Sequence, residues 1–207
     1  MTYDKTELNF LQRDCEMQFG EKDGGRIFRR ASKLYAELVV TTDYKNDAAL
    51  QKQLKGLVYP VIAYYKTLLA EGYREPNALG LVRRETEKAA KNCGEILDAQ
   101  TRRVFPFHAF KRNIKKFMAS KFPSADWVCT EPKAKIGSVS FQIKECLYYK
   151  IVHKFGCPEL CPVFCEYESI AFRGLSPKTV CERNGELATG HEVCTFVFRK
   201  GRSETKK

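Results

Sequence analysis

The apolar residues of this chain change their spacing near residue 122, and this change constrains the fold more than any other feature. Before it, apolar side chains recur at the spacing of an amphipathic helix, and beyond it they alternate in the manner of strands. The first part predicts four helices, over residues 8–40, 48–70, 78–99 and 107–122. The second part predicts a β-hairpin (127–130 and 138–143), helices over 146–155 and 162–172, and another hairpin (179–183 and 193–198).

Glycine and proline place the breaks between these elements. The first helical pattern is interrupted near residues 20–25, Pro60 is expected to kink the second helix, and Gly72 ends it. Residues 131–137 are expected to form the turn of the first hairpin.

This order of elements predicts an α+β protein. We expect an N-terminal helical part (residues 1–121), then a small antiparallel four-stranded sheet with helices packed on one face (residues 122–200). The polar residues 201–207 are expected to be a disordered tail.

Several classes of protein are excluded by composition. The sequence has no run of about 18 apolar residues, which a membrane-spanning helix needs. Its polar N-terminus does not resemble a signal peptide, so we expect a cytoplasmic location. The nine cysteines are odd in number and cluster late in the chain, and we interpret them as free thiols or ligands rather than disulfides.

The net charge of +11 is densest over residues 102–121, which hold seven basic residues and no acid. Such a block favours anionic partners. The alternative is a solvated helix face, because the apolar residues of this segment fall on one side of a helix. Nucleic acid ranks last among partners, since no binding motif is present and the basic residues are not interleaved with exposed aromatics.

The cysteine-rich stretch from residue 145 to 196 is where we expect any chemistry. Pro158 and Pro162 cannot both lie inside one regular helix, so the helix should begin near Pro162. Cys165 would then lie in or near the first turn, where free N–H groups favour a thiolate. Cys165 is therefore the best-placed nucleophile, against the alternative that it is an inert buried thiol.

The other candidate groups are cysteines and histidines. Cys157, Cys161 and Cys165 are spaced by four, and two later cysteines could complete a metal site, but no C-x-x-C pair exists, so we assign no metal and no cofactor. His153 follows Cys146 by seven residues on the same helix face, and His191 lies beside the second hairpin turn. Either could serve as a general base.

Five segments in this stretch resemble the L-2-amino-thiazoline-4-carboxylic acid hydrolase family in order and spacing. They read ECLYY (145–149), GCPEL (156–160), FCEYE (164–168), RNGELATG (183–190) and CTF (194–196). The family pattern is Phe-Cys-x-x-Asp, then Arg-Thr-x-Thr-Leu-Ala-x-Gly, then Cys-Asp-Phe. The residues that match are Cys165, Arg183, Leu187, Ala188, Gly190, Cys194 and Phe196. The residues that depart are Glu168, Asn184, Glu186 and Thr195.

The resemblance implies a hydrolase of non-peptide C–N bonds that opens a small cyclic amidine or isothiourea with water. It implies catalytic roles for Cys165, Glu168 and His153. The Cys165 thiolate, or a water that it activates, would attack the ring carbon, and Glu168 or His153 would transfer the proton. It implies substrate-binding roles for Arg183, Cys194 and Glu145, the guanidinium holding a carboxylate.

An alternative function and the partners remain open. The same cysteine-lined pocket could belong to a binding module that holds a small molecule or a metal without turnover. We expect a small-molecule substrate and no membrane partner. The helical part could be a homodimer surface or a lid over the pocket, and the sequence does not choose between them.

Overall fold

The fold is taken from a computed structural model that describes residues 3–101, 106–123 and 126–201. The chain forms two compact units, Met1–Ala89 and Ala90–Lys207. The boundary predicted after residue 121 was based on the change from helical to strand-like spacing rather than on compactness. It stays a prediction. The predicted tail lies, apart from Gly201, outside the described residues.

The first unit is built from helices that follow the predicted order. They are α1 (Leu11–Phe19), α2 (Glu21–Thr41), α3 (Ala48–Gln53), α4 (Tyr59–Ala70) and the first part of α5 (Glu75–Thr101). The predicted interruption of the first pattern falls at Gly20, whose φ of 83° favours glycine. A Cβ on Gly24 would overlap the backbone carbonyl of Cys15, so α1 and α2 cross closely there.

The break expected at Pro60 takes the form of a π-helical turn over Leu54–Val58, directly before α4. Pro60 is the second residue of α4, a position where its missing N–H costs little. The side chains of α4 form the core of the unit, since Tyr59, Val61 and Tyr64 are fully buried.

The second unit begins with the end of α5 and two short helices, α6 (Pro106–Arg112) and α7 (Ile114–Lys121). One continuous helix was predicted over 107–122, but the chain breaks at Asn113. The α+β elements follow: β1 (Val128–Cys129), β2 (Lys133–Lys135), β3 (Ser138–Glu145), α8 (Leu147–Lys154), α9 (Cys161–Arg173), β4 (Thr179–Asn184) and β5 (Cys194–Lys200).

The sheet is antiparallel, with the order β1-β3-β5-β4 and with β2 also paired to β3. The α+β class and both hairpins are confirmed, but the described residues form five strands rather than four. The additional strand β2 lies in the predicted turn, and its Lys-Ala-Lys sequence is exposed throughout, so it carries no apolar alternation.

One face of the sheet forms the core of the second unit. Alternate residues of β3 and β5 are buried, and Phe198 contacts Phe110 of α6 and Phe117 of α7, with ring centroids 4.8 and 5.7 Å away. Phe172 of α9 packs against Phe196 at 5.7 Å. The helices therefore cover the face towards which the alternating apolar residues point. No helix of the described residues is long and apolar enough to cross a membrane.

Candidate functional site

Four of the predicted site residues meet where α9 crosses the hairpin of β4 and β5. Cys165 and Glu168 lie one helical turn apart on α9, and both are buried. Arg183 of β4 pairs with Phe196 of β5, and Cys194 lies two residues before Phe196 on the same buried face. The helix thus supplies a thiol and a carboxyl, and the strands supply a guanidinium and a second thiol.

Arg183 is the centre of this cluster. Its Nη1 donates a hydrogen bond to the Cys165 carbonyl at 2.9 Å, and its Nη2 donates to the sulfurs of Cys165 at 3.1 Å and Cys194 at 3.6 Å. The guanidinium carbon lies 5.0 Å from the ring centroid of Phe196. Only 10% of the side chain is exposed. Burial opposes its charge, but Glu168 and Cys165 raise the pKa of Arg183 above its ordinary value, so the group remains a cation.

The environment of Cys165 favours its thiolate. A hydrogen bond from the Cys161 thiol lowers the pKa of Cys165, burial opposes this, and the charge of Arg183 lowers the pKa further. The same hydrogen bond, with burial, raises the pKa of Cys161, so Cys161 keeps its proton and is the donor. The spacing of four residues on one helix brings the two thiols together.

The start of helix α9 agrees with the prediction that the helix begins near Pro162. Helix α9 begins at Cys161, one residue before Pro162, so Cys165 is its fifth residue and lies beyond the first turn. The field of a helix end falls off within that turn. The neighbouring thiol and Arg183 lower the pKa of Cys165, and a contribution from the helix N-terminus stays a prediction.

Glu168 supplies a carboxyl that titrates near neutrality. Its side chain is buried, and its Oε2 lies 3.9 Å from Nη1 of Arg183. Burial raises the pKa of Glu168 to about 7, although Arg183 and Lys121 act to lower it. A carboxyl with such a pKa can give or take a proton at working pH.

The loop from β4 to β5 covers the guanidinium. Glu186 Oε1 lies 3.5 Å from Nε of Arg183, and the N–H of Leu187 donates to the Cys194 sulfur at 3.3 Å. Nε itself is buried and makes no hydrogen bond within the described part of the chain. The loop also holds Gly185 and Gly190 at φ values of 69° and 88°. The Glu186 carboxylate therefore lies beside the Nε edge of the Arg183 guanidinium, which makes no hydrogen bond within the described residues.

The sequence of residues 51–198 matches the family described as L-2-amino-thiazoline-4-carboxylic acid hydrolase. The chain belongs to this family. The match spans well over half of the 207 residues and includes Cys165, Glu168, Arg183 and Cys194. Its description names a hydrolase, and the chain is accordingly assigned to a hydrolase family.

Two further comparisons add little. No curated protein matches the sequence at a significant level. Among solved structures, the crystal structure of an Fe(II) unliganded H-NOX protein from K. algicida is 11% identical, with 97% of this chain and 98% of that chain covered. Its TM-score of 0.33 is too low to support a conclusion about fold or function.

Two predicted site residues lie elsewhere on this family member. His153 is exposed on α8, where its Nδ1 lies 2.8 Å from the Tyr149 carbonyl and its ring packs on the Tyr149 ring. Glu145, at the end of β3, pairs with Lys150 at 2.5 Å. Within the described residues, no hydrogen bond or ion pair joins either residue to the cluster around Arg183. Their roles in catalysis and substrate binding stay predictions.

The spacing of the cysteines also suggested a metal site as an alternative. All nine cysteines are free thiols. Within residues 3–101, 106–123 and 126–201, no group of three or more His, Cys, Asp or Glu side chains is arranged to hold a metal ion. The spacing by four of Cys157, Cys161 and Cys165 instead places the last two on one side of α9 as a hydrogen-bonded pair.

Sequence reasoning missed two residues as parts of the site. Cys161 was weighed only as a metal ligand, although its spacing of four from Cys165 could have indicated contact on a helix. Glu186 was noted only as a departure from the family pattern, because the loop that turns it back onto Arg183 has no regular spacing.

Proposed function

We propose that this protein hydrolyses a small cyclic amidine or isothiourea of the L-2-amino-thiazoline-4-carboxylate type, with Cys165 as its nucleophile. Family membership supports the reaction class. The observation that carries the role of Cys165 is the 3.1 Å contact between Arg183 Nη2 and its sulfur, because a buried cation at that distance favours the reactive thiolate.

The reaction follows from the bonding of the ring. The carbon between the ring sulfur and ring nitrogen also carries an amino group and is electrophilic, so the Cys165 thiolate adds to it. The adduct expels the ring sulfur, so both nitrogens stay on that carbon and the product is an N-carbamoyl-cysteine. The bond that breaks is therefore a C–S bond rather than the C–N bond that the resemblance implies. Water then adds to the same carbon and Cys165 leaves as a thiolate. The net change is the addition of one water molecule.

Glu168 is proposed to move the protons in this sequence. In its protonated form it delivers a proton to the departing ring sulfur, and as a carboxylate it then takes one from the attacking water. A pKa of about 7 allows both forms to be populated at neutral pH. Its position one turn after Cys165 places the two side chains on the same side of α9.

Arg183 is proposed to hold the substrate carboxylate with the edge that now faces Glu186. The Nε atom is buried without a hydrogen bond, and a carboxylate oxygen already lies 3.5 Å away. A substrate carboxylate would take the place of the Glu186 side chain there. The loop must move for this exchange, and Gly185 and Gly190 flank the moving residues.

The proposed site requires reduced thiols. Cys165 and its donor Cys161 act only as thiolate and thiol, so we propose that the protein works in the reducing cytoplasm.

The test is incubation of the purified protein with L-2-amino-thiazoline-4-carboxylate, with mass spectrometry to detect a product heavier by one water. Cys165→Ser should abolish turnover, while Cys181→Ser, which changes a half-buried thiol on β4, should retain it. Unchanged turnover by Cys165→Ser would refute the nucleophile. Tight substrate binding by the wild type without product would instead favour the non-catalytic binding module.

A further inference from the structure

The turn between β2 and β3 carries an isoleucine that projects fully into solvent. Ile136 is completely exposed and follows Lys135, and Gly137 completes the turn at a φ of 71°. Several large apolar side chains are partly exposed elsewhere, but they lie along helices or strands rather than at the tip of a turn. A residue in this position is available to a partner without any rearrangement of the fold.

Lysines from β2 and α6 lie around this tip. Lys133 and Lys135 belong to β2 and are exposed. The Nζ of Lys111, on α6, donates a hydrogen bond to the Lys135 carbonyl at 2.6 Å, which fixes this ammonium beside the turn. Its partner is a neutral carbonyl, so the positive charge of Lys111 is not compensated by that bond.

Two further lysines reach the same end of the sheet from β5 and the start of β4. The N–H of Lys200 donates to the Gly137 carbonyl at 2.9 Å, which places the end of β5 against the turn. Lys200 is paired across the sheet with Thr179, the residue after Lys178. Five lysines on four segments therefore lie at the same end of the sheet as Ile136, and we call this set with its turn the lysine-ringed turn: Lys111, Lys133, Lys135, Lys178 and Lys200.

The acidic residues near this end do not neutralise the lysine-ringed turn. Glu131 pairs with Lys115 at 2.6 Å, and Glu182 pairs with Arg199 at 2.9 Å. Across the part of the chain that the structure describes, none of the five lysines forms an ion pair with a carboxylate. This end of the sheet therefore carries a local excess of positive charge together with one fully exposed apolar side chain.

We propose that the lysine-ringed turn docks the protein on an anionic phospholipid surface. Ammonium groups would lie among the lipid phosphates and carboxylates, and Ile136 would enter the boundary between headgroups and acyl chains. A projecting apolar side chain suits a planar, deformable surface. The nucleic-acid alternative fits less well, because single-strand binders stack bases on aromatic side chains and the tip has none.

This docking differs from the membrane association that the sequence excluded. The expectation of no membrane partner rested on the lack of a spanning segment, and peripheral docking by charge and one apolar side chain needs none. The proposal is independent of the chemistry at Cys165.

The test is co-sedimentation of the purified full-length protein with phosphatidylcholine vesicles, with and without phosphatidylserine. We expect binding only to vesicles that contain phosphatidylserine, with an affinity that falls as salt is added. The double variant Lys133→Glu, Lys135→Glu should lose more than about thirtyfold in affinity, because two lysines are removed and the glutamates repel the anionic lipid. Ile136→Ser, which leaves every charge in place, should lose about tenfold.

Control variants carry the same kinds of substitution at exposed sites away from the lysine-ringed turn. Lys22→Glu with Lys91→Glu makes the same change of net charge at exposed sites on α2 and α5, and Val40→Ser removes an exposed apolar side chain from α2. Both should bind vesicles as the wild type does. Equal losses in the controls, equal binding to neutral vesicles, or binding to a DNA oligonucleotide but to neither vesicle would each overturn the proposal.

Discussion

The guanidinium of Arg183 bridges two sulfurs, lying 3.1 Å from Cys165 and 3.6 Å from Cys194, and it is almost completely buried. A buried cation is costly unless anionic groups neutralise it, and a thiolate at contact distance does so together with the carboxyl groups of Glu168 and Glu186. The Cys161 hydrogen bond selects Cys165 for that role. The thiolate of Cys165 on α9 therefore depends on Arg183, which lies on β4.

Replacing Arg183 with Met should make Cys165 less reactive. Loss of a cation at contact distance raises the pKa of a thiol by about 1–3 units, so alkylation of Cys165 by iodoacetamide at neutral pH should slow by about tenfold or more. The measurement is the rate of modification at Cys165 against pH, followed by peptide mass spectrometry. Arg199→Met, which removes an exposed guanidinium from β5, is the control and should leave that profile unchanged.

Glu168 should make folding stability depend on pH. Its pKa of about 7 in the folded protein lies above the 4.5 of an ordinary glutamate, so protonation favours the folded state. Its contribution is fully present below about pH 4.5 and is lost as the pH rises through about 7, amounting to on the order of 3 kcal/mol.

Urea denaturation of wild type and Glu168→Gln, at about pH 5 and about pH 8, measures this effect. The variant should lose less stability between the two conditions, because a neutral amide replaces the titrating carboxyl. Glu182→Gln on the exposed side of β4 should behave as the wild type. A Glu168→Gln protein with the full wild-type pH dependence would show that Glu168 is ionised throughout.

The apolar periodicity of the sequence predicted most of the helices and strands. It did not predict a strand without apolar residues, nor which polar side chains contact one another. Helical spacing predicted α9, and alternation predicted β4 and β5. The family resemblance then assigned Cys165, Arg183 and Cys194 to the same site. Strand β2 has no apolar residue larger than alanine to reveal it. The position of Glu186 depends on the path of the loop between β4 and β5, and the contacts of Cys165 with Cys161 and Arg183 were not part of the prediction.

Glu186→Thr, which restores the residue type of the family pattern, should tighten binding of a carboxylate substrate. The negative charge beside Nε of Arg183 both occupies that edge and repels an incoming anion. We expect KM to fall by about fivefold with a smaller change in kcat, since Glu186 is partly exposed and its ion pair with Arg183 is worth on the order of 1 kcal/mol. Steady-state kinetics with L-2-amino-thiazoline-4-carboxylate measure it.

The same variant has a second readout that needs no substrate. Glu186 raises the pKa of Cys165, so its removal should speed alkylation of that thiol at low pH. Glu182→Gln removes a carboxylate from the neighbouring strand and should change neither quantity. Slower alkylation in Glu186→Thr would mean that the loop holds Arg183 in place rather than competing for it.

A close approach of backbones fixes the end of helix α9 against α5, and this contact should be intolerant of a single methyl group. A Cβ on Gly174 would overlap the Gly94 carbonyl, and a Cβ on Gly94 would lie 3.2 Å from the Ala171 carbonyl oxygen. Gly174→Ala must separate the two helices, so it should cost about 1–3 kcal/mol of unfolding free energy. The identical substitution at Gly80, an exposed position of α5 with no atom within 4 Å of the added Cβ, should instead gain up to about 1 kcal/mol from helix propensity. Urea denaturation of the two variants should therefore give shifts of opposite sign, and a gain in Gly174→Ala would show that the helices lie further apart than the contact between Gly174 and Gly94 requires.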